Sequence, residues 1–240
     1  MSLKIRLARA GGGWLEVYHH DLGRGSTPLT TAEGRTAAQQ SNLAASTSAS
    51  ASDEWAFDTW MQAPFHAVGL LDPKLERVGY GSYHESDGGL QTGVGVNVIA
   101  GRNYAATSAY PVIWPAQGMT VPIRLHWGES PSPLTSCPGY QSPSGLPVIV
   151  QFGAGDVTPV VNASSFSNQG ASLEHCVFTE ETYTHPDSAQ QSLGRSILNS
   201  RDAVVLIPRQ PLLAGQTYTA SLTVNGETYT WSFTISVNPH

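Results

Sequence analysis

Apolar positions along the chain fall into two regimes. Between Ser50 and Pro73 they recur at helical spacing: Phe57, Trp60 and Met61 lie three and four apart and share one face. Ser50 or Ser52 can cap this helix, with Asp53 and Glu54 in a first turn where the helix dipole favours negative charge. Pro64 ends the run and suits the start of a second helical stretch carrying His66, which Asp72-Pro73 closes. Residues 76–84, with Gly79-Tyr80-Gly81, then predict a strand. A turn at Asp87-Gly88-Gly89 leads into a second strand over 90–99, where Val94, Val96 and Val98 alternate. Upstream, residues 14–21 predict part of a helix or its end. Gly23 to Pro28 is turn-rich, and 31–45 predicts a helix with Glu33 near its start, packed through Ala37, Ala38 and Leu43. Ser46 to Ser52 is a small-residue connector.

From Tyr110 the pattern becomes purely β. Strands are predicted over 121–127, 146–152, 172–178, 203–207, 216–224 and 227–235, at the spacing of a sandwich. Asn225-Gly226 is the strongest hairpin signal, because both residues tolerate positive φ. Tyr229, Trp231, Phe233 and Ile235 alternate onto one core face, and Leu213 to Tyr218 can form a tyrosine corner. The fold class expected is α+β: an α+β domain over 1–106, then an immunoglobulin-like β-sandwich over 110–240.

Composition narrows the function. Only 12% of the 240 residues are charged, while 24 glycines and 16 prolines favour strands and turns over long helices. Twelve basic and eighteen acidic residues leave a net charge of −6 without runs, which argues against nucleic acid or an anionic membrane surface as partner. No apolar run approaches the ~18 residues a spanning helix needs. Low Lys with abundant Ser, Thr, Asn and Gly favours export, although Lys4, Arg6 and Arg9 interrupt any secretory leader here. Cys137 and Cys176 fit one disulfide or two structural thiols, and neither lies in a CxxC pair.

Familiar enzyme motifs are absent: there is no Gly-x-Ser-x-Gly elbow, P-loop, His-Glu-x-x-His or Rossmann glycine pattern. Gly79-Tyr80-Gly81 and Gly93-Val94-Gly95 are strand glycines. A triad of Ser41, His66 and Asp58 can be drawn, but nothing activates Ser41. His66 reads either as a metal ligand or cleft group, or as a structural helix-start histidine. His84-Glu85 stands at a strand end, and His126, His175, His185 and His240 are expected at the surface. Asn162-Ala163-Ser164 is a glycosylation triplet.

Trp60-Met61-Gln62-Ala63-Pro64-Phe65-His66, then Leu70-Leu71-Asp72-Pro73 and Val78-Gly79-Tyr80-Gly81, resembles the bacterial branch of the CAP superfamily, the SCP-like extracellular domains related to cysteine-rich secretory, antigen 5 and pathogenesis-related proteins. The His19-His20 pair before a turn-rich loop and the run Ser41-Asn42-Leu43-Ala44 agree with it. The resemblance covers residues 14–102 and leaves out the β-rich half, although bacterial members often carry an appended β module. It implies a central cleft with two histidines, His20 (His19 as alternative) and His66, that holds a divalent metal such as Zn²⁺. The family's two acids are replaced by Ser41 and Ala63, leaving Glu33, Glu54, Asp58 or Glu85 to reach the cleft from elsewhere. Two histidines bind zinc more weakly than three protein ligands do. The function implied is a secreted or cell-surface, non-enzymatic binding protein. Its cleft would take a metal or a small, lipid-like or cell-wall ligand, and the sandwich would serve as spacer, attachment or protein-partner module. The alternatives are a metal-assisted peptidase with Glu54, Asp58 or Glu85 as base, and a structural or adhesion protein of the cell envelope.

Overall fold

The computed structural model describes residues 2–9, 13–20, 32–86 and 88–239. They form two compact units of mixed α+β structure whose sheets are mostly antiparallel. Unit one comprises Met1–Trp60 with Pro73–Thr107, and unit two comprises Met61–Asp72 with Ser108–His240. The sequence reading places Met61–Asp72, with His66, at the heart of the first domain; in the structure this segment belongs to the second unit. The Gly23–Pro28 turn region, the Asp87 turn position and His240 lie outside the described residues.

In unit one, β1 (Ser2–Arg9) and β2 (Gly13–His20) form an antiparallel hairpin in which Ser2 faces His20. Of the helix expected over 14–21, residues 14–20 are therefore strand, where cross-strand pairing overrides local propensity, and Asp21 lies outside the described residues. The helix expected over 31–45 stops early: α1 is Ala32–Gln39, and Ser41–Ser46 is strand β3. Ser41 donates its hydroxyl to Ala37 O at 2.7 Å, closing the helix, and β3 then supplies partners for the strand Thr92–Asn97. Helix propensity is a weak prior against such a ladder.

Helix α2 (Asp53–Met61) begins where predicted, the Ser52 hydroxyl accepting the Trp55 N–H at 3.2 Å. Phe57 stacks on Tyr80 (5.8 Å between centroids) and meets Trp60 edge-on, yet it is 38% exposed, so the buried face of α2 is formed by Ala56 and Trp60. Strands β4 (Gly79–His84) and β5 (Thr92–Asn97) form the expected hairpin, and the sheet order is β3-β5-β4. Val94, Val96 and Val98 are buried as expected.

Unit two opens with α3 (Pro64–Leu70) and continues with β6 (Val112–Trp114), β7 (Thr120–Val121), β8 (Leu125–His126), a 3-10 turn (Pro133–Ser136), β9 (Ser144–Gly145) and β10 (Val148–Gln151). It proceeds through β11 (Val161–Asn168), β12 (Ala171–Ser172), β13 (His175–Phe178), α4 (Ser188–Asn199), β14 (Ala203–Pro208), β15 (Thr217–Val224) and β16 (Glu227–Ile235). One sheet runs β13-β14-β10-β6 and another β12-β11-β15-β16-β7, with only β16–β7 parallel. Phe166, Tyr218, Leu222, Trp231 and Phe233 from the larger sheet share a core with Val148, Val150, Val204 and Leu206 from the smaller.

The opposite face of the smaller sheet is also covered. Ile149, Val205 and Ile207 pack with Phe65 and Val68 of α3 and Leu198 of α4. This explains why β14 is buried at every position: a strand covered on both faces carries a continuous apolar run instead of alternation. Besides β1 and short strands such as β6 and β9, the sequence prediction omits β11 and α4. The Ser-rich β11 presents a mostly exposed face, and the polar α4 buries little beyond Gly194 and Leu198, so neither shows a strong apolar period.

The predicted turn chemistry is in place. Asn225 and Gly226 both take positive φ, 51° and 84°. The Leu213 N–H donates to Tyr218 Oη at 2.7 Å, forming the tyrosine corner. Cys137 and Cys176 are disulfide-bonded with a Cα–Cα distance of 5.6 Å. The bridge spans 39 residues, and closing such a loop in the unfolded chain corresponds to about 2–4 kcal/mol of stability. The Cys137→Ala/Cys176→Ala double variant is expected to lose about that much in urea unfolding; a midpoint equal to that of the wild type would show that the bridge constrains nothing.

Candidate functional site

Pro64 cannot continue α2 and fixes φ for the first turn of α3, which sets Phe65 and His66 in adjacent positions. Phe65 anchors that turn, edge-on to Tyr183 at 5.0 Å and 6.3 Å from Phe178. Gln151 locks the other end by donating Nε2–H to Val68 O at 3.0 Å.

Glu129 approaches this turn from the segment after β8. Its Oε1 accepts the Phe65 N–H at 3.1 Å and its Oε2 accepts from His66 Nδ1 at 2.7 Å. The Glu129 side chain is 1% exposed and the His66 side chain 25%. Gly128, immediately before Glu129, has φ 146°, a backbone conformation that L side chains rarely adopt. A carboxylate accepting from Nδ1 fixes the ring orientation and makes Nε2 the basic nitrogen of the neutral imidazole.

His126 lies beside this pair and is fully buried. Its Nδ1–H donates to Gln62 O at 2.9 Å, and its Nε2 is buried with no hydrogen-bond partner. Burial lowers its pKa from the usual imidazole value; Glu129 and the Gln62 bond oppose that shift and His66 reinforces it. Gln62 also accepts the Trp127 N–H through Oε1 at 2.9 Å, and the Ser142 hydroxyl donates to Trp127 O. Trp127 is thus held at both ends of its backbone while its residue surface is 63% exposed.

The predicted site residues belong to different units. His66 stands in unit two with Glu129 and His126. His19 and His20 occupy consecutive positions on β2 in unit one, and their side chains lie outside the description. Glu54, Asp58 and Glu85 are likewise in unit one. Glu54 is exposed, Asp58 half-buried, and Glu85 exposed while accepting the Tyr83 hydroxyl at 2.5 Å. Glu33 is exposed in the first turn of α1. His84 is an exposed strand end bonded to Thr92 Oγ1 at 2.9 Å.

His126 corrects the expectation of a surface residue: β8 turns it toward Gln62, where a backbone carbonyl satisfies one nitrogen. His175 and His185 are half-buried rather than fully at the surface, His175 bonding Ser164 and His185 accepting the Asp187 N–H. Glu129 carried a signal in the sequence, being the one charged residue between Arg124 and Asp156, and it follows a glycine.

Among the described residues, no group of three or more His, Cys, Asp or Glu side chains is placed to hold a metal ion. What the pair offers is an oriented imidazole, able to accept a proton or coordinate through Nε2 with the carboxylate as its outer partner. No described helix is long and apolar enough to cross a membrane. No protein-family model, curated protein or solved structure matches the chain.

The depressed pKa of His126 has a definite sign in stability. The unfolded chain protonates this ring more readily than the folded one, so the contribution of the neutral ring is complete above about pH 6.5 and is lost as pH falls below it. His126→Asn keeps a donor for Gln62 O and cannot titrate. Between about pH 7.5 and 5.5 the wild-type urea midpoint is expected to fall more steeply than the variant's; parallel curves would place His126 in water.

Proposed function

We propose that the chain is an exported, non-enzymatic binding protein whose ligand is taken by the His66–Glu129 pair of the second unit. The observation that carries this reading is the buried Glu129 carboxylate, which holds His66 in one orientation at the partly open start of α3. The exposed Trp127, its backbone fixed two residues before Glu129, supplies an apolar face suited to a small apolar or lipid-like ligand. A divalent metal such as Zn²⁺ fits the same imidazole, since a carboxylate behind a histidine strengthens the ring as a ligand. The disulfide is compatible with export.

In this reading the first unit is a divergent CAP domain, supported by the motif from Trp60 to Gly81. The second is an immunoglobulin-like sandwich, supported by its two core-sharing sheets and tyrosine corner. The motif is divided between the units, with His66 in the second, so in this reading the second unit contributes to the site as well as serving as spacer. A second reading, hydrolysis with His66 as general base, draws on the same orientation by Glu129.

Calorimetric titration of zinc into the metal-stripped chain is expected to show one-site binding that His66→Ala abolishes and Glu129→Gln weakens by roughly 10–100-fold. Heat unchanged in His66→Ala would overturn the metal reading of this site. Cleavage of casein that a chelator stops would replace the binding reading with the hydrolytic one.

A further inference from the structure

A second group of buried acids lies away from His66, at the C-terminal end of α4. Glu180 follows β13 and is only 4% exposed. Its Oε1 accepts Asn199 Nδ2–H at 3.0 Å, and its Oε2 is buried without a hydrogen-bond partner. Asp202, fully buried, sits in the turn between α4 and β14 at φ 47°. Its Oδ2 accepts the N–H groups of Gly155, Asp156 and Val157, each at 3.0 Å, while its Oδ1 is buried without a partner. Gly153 is required for this approach, because a Cβ there would stand 2.2 Å from Asp202 Oδ2.

Asn199 ties the two acids together. Its side chain bonds Glu180 while its carbonyl accepts the Asp202 N–H at 3.2 Å. The neighbouring guanidinium of Arg201 is directed to Asp72, with Nε–Oδ2 at 3.2 Å. Burial raises the pKa of both Glu180 and Asp202; Asp202 adds to the rise at Glu180, and Asp156 to that at Asp202. Two ionised carboxylates would carry a charge of −2, opposed by amide dipoles at two of their four oxygens. Such burial is costly without a compensating cation or proton.

We propose that Glu180 and Asp202 form a calcium site, with Glu180 Oε2 and Asp202 Oδ1 as its anionic ligands and entry through the loop over residues 153–157. The donors named are all oxygen, which selects a hard cation over zinc or copper. Calcium accepts irregular sets of carboxylates, carbonyls and water, whereas magnesium demands a near-octahedral shell and gives up water reluctantly. Extracellular modules typically bind calcium in the range of about 10⁻⁴–10⁻³ M.

The test is thermal unfolding of the chelator-treated full chain against calcium chloride, with magnesium chloride in parallel. Calcium is expected to raise the transition temperature with a midpoint near that range, magnesium to raise it less, and Glu180→Gln to move the calcium midpoint at least tenfold higher. Asp202→Asn should do the same, since Asn tolerates the positive φ and can still accept the three amides. Circular dichroism matching the wild type confirms that each variant is folded. A wild type indifferent to calcium, or a Glu180→Gln variant with an unchanged midpoint, overturns the proposal. Stabilisation by Glu180→Gln together with that indifference would assign the pair a shared proton instead.

Discussion

The carboxylate of Glu129 is the contact on which the His66 site depends. Taking an ionised carboxylate out of water is costly unless its oxygens are bonded, and here each oxygen has a donor on α3, the Phe65 N–H and His66 Nδ1. Both donors come from one helical turn, so satisfying the charge also fixes the ring. The turn is in turn fixed by apolar packing of Phe65 on Tyr183 and Phe178, which belong to the second unit. Orientation of the imidazole is therefore a consequence of core packing.

The same logic explains why Met61–Asp72 belongs to unit two although it is separated in sequence from the rest of that unit. The smaller sheet has an outer face of Ile149, Val205 and Ile207 that must be covered, and α3 with α4 covers it. Gln62 then reaches β8 from the start of the segment, and Gln151 holds Val68 toward its end. Polar bonds at both ends frame an apolar middle. The two His126 nitrogens divide along the same line, one bonded to Gln62 and the other buried without a partner.

Much of this was legible where local chemistry decides the structure. Asn225-Gly226, the tyrosine corner, the Ser52 cap, the Pro64 break and the β4–β5 hairpin follow from residue types at short range. What the sequence left hidden depended on distant partners. Residues 14–20 and 41–45 are strands because other strands pair with them, and the buried His126 looks like any histidine until Gln62 is placed beside it. His66 stood out through its motif. Its partner Glu129, more than sixty residues away, was marked only by its isolation among uncharged residues. Serine-rich β11 and polar α4 show that weakly periodic elements form when a sheet edge or face requires them.

The most direct measurement is a long-range ¹H–¹⁵N correlation spectrum of the histidine rings in the full chain. His66 is expected to carry its hydrogen on Nδ1 in the neutral form, with Nε2 unprotonated, and to lose that single tautomer in Glu129→Gln. A wild-type His66 protonated on Nε2, or one unaffected by Glu129→Gln, would contradict the account.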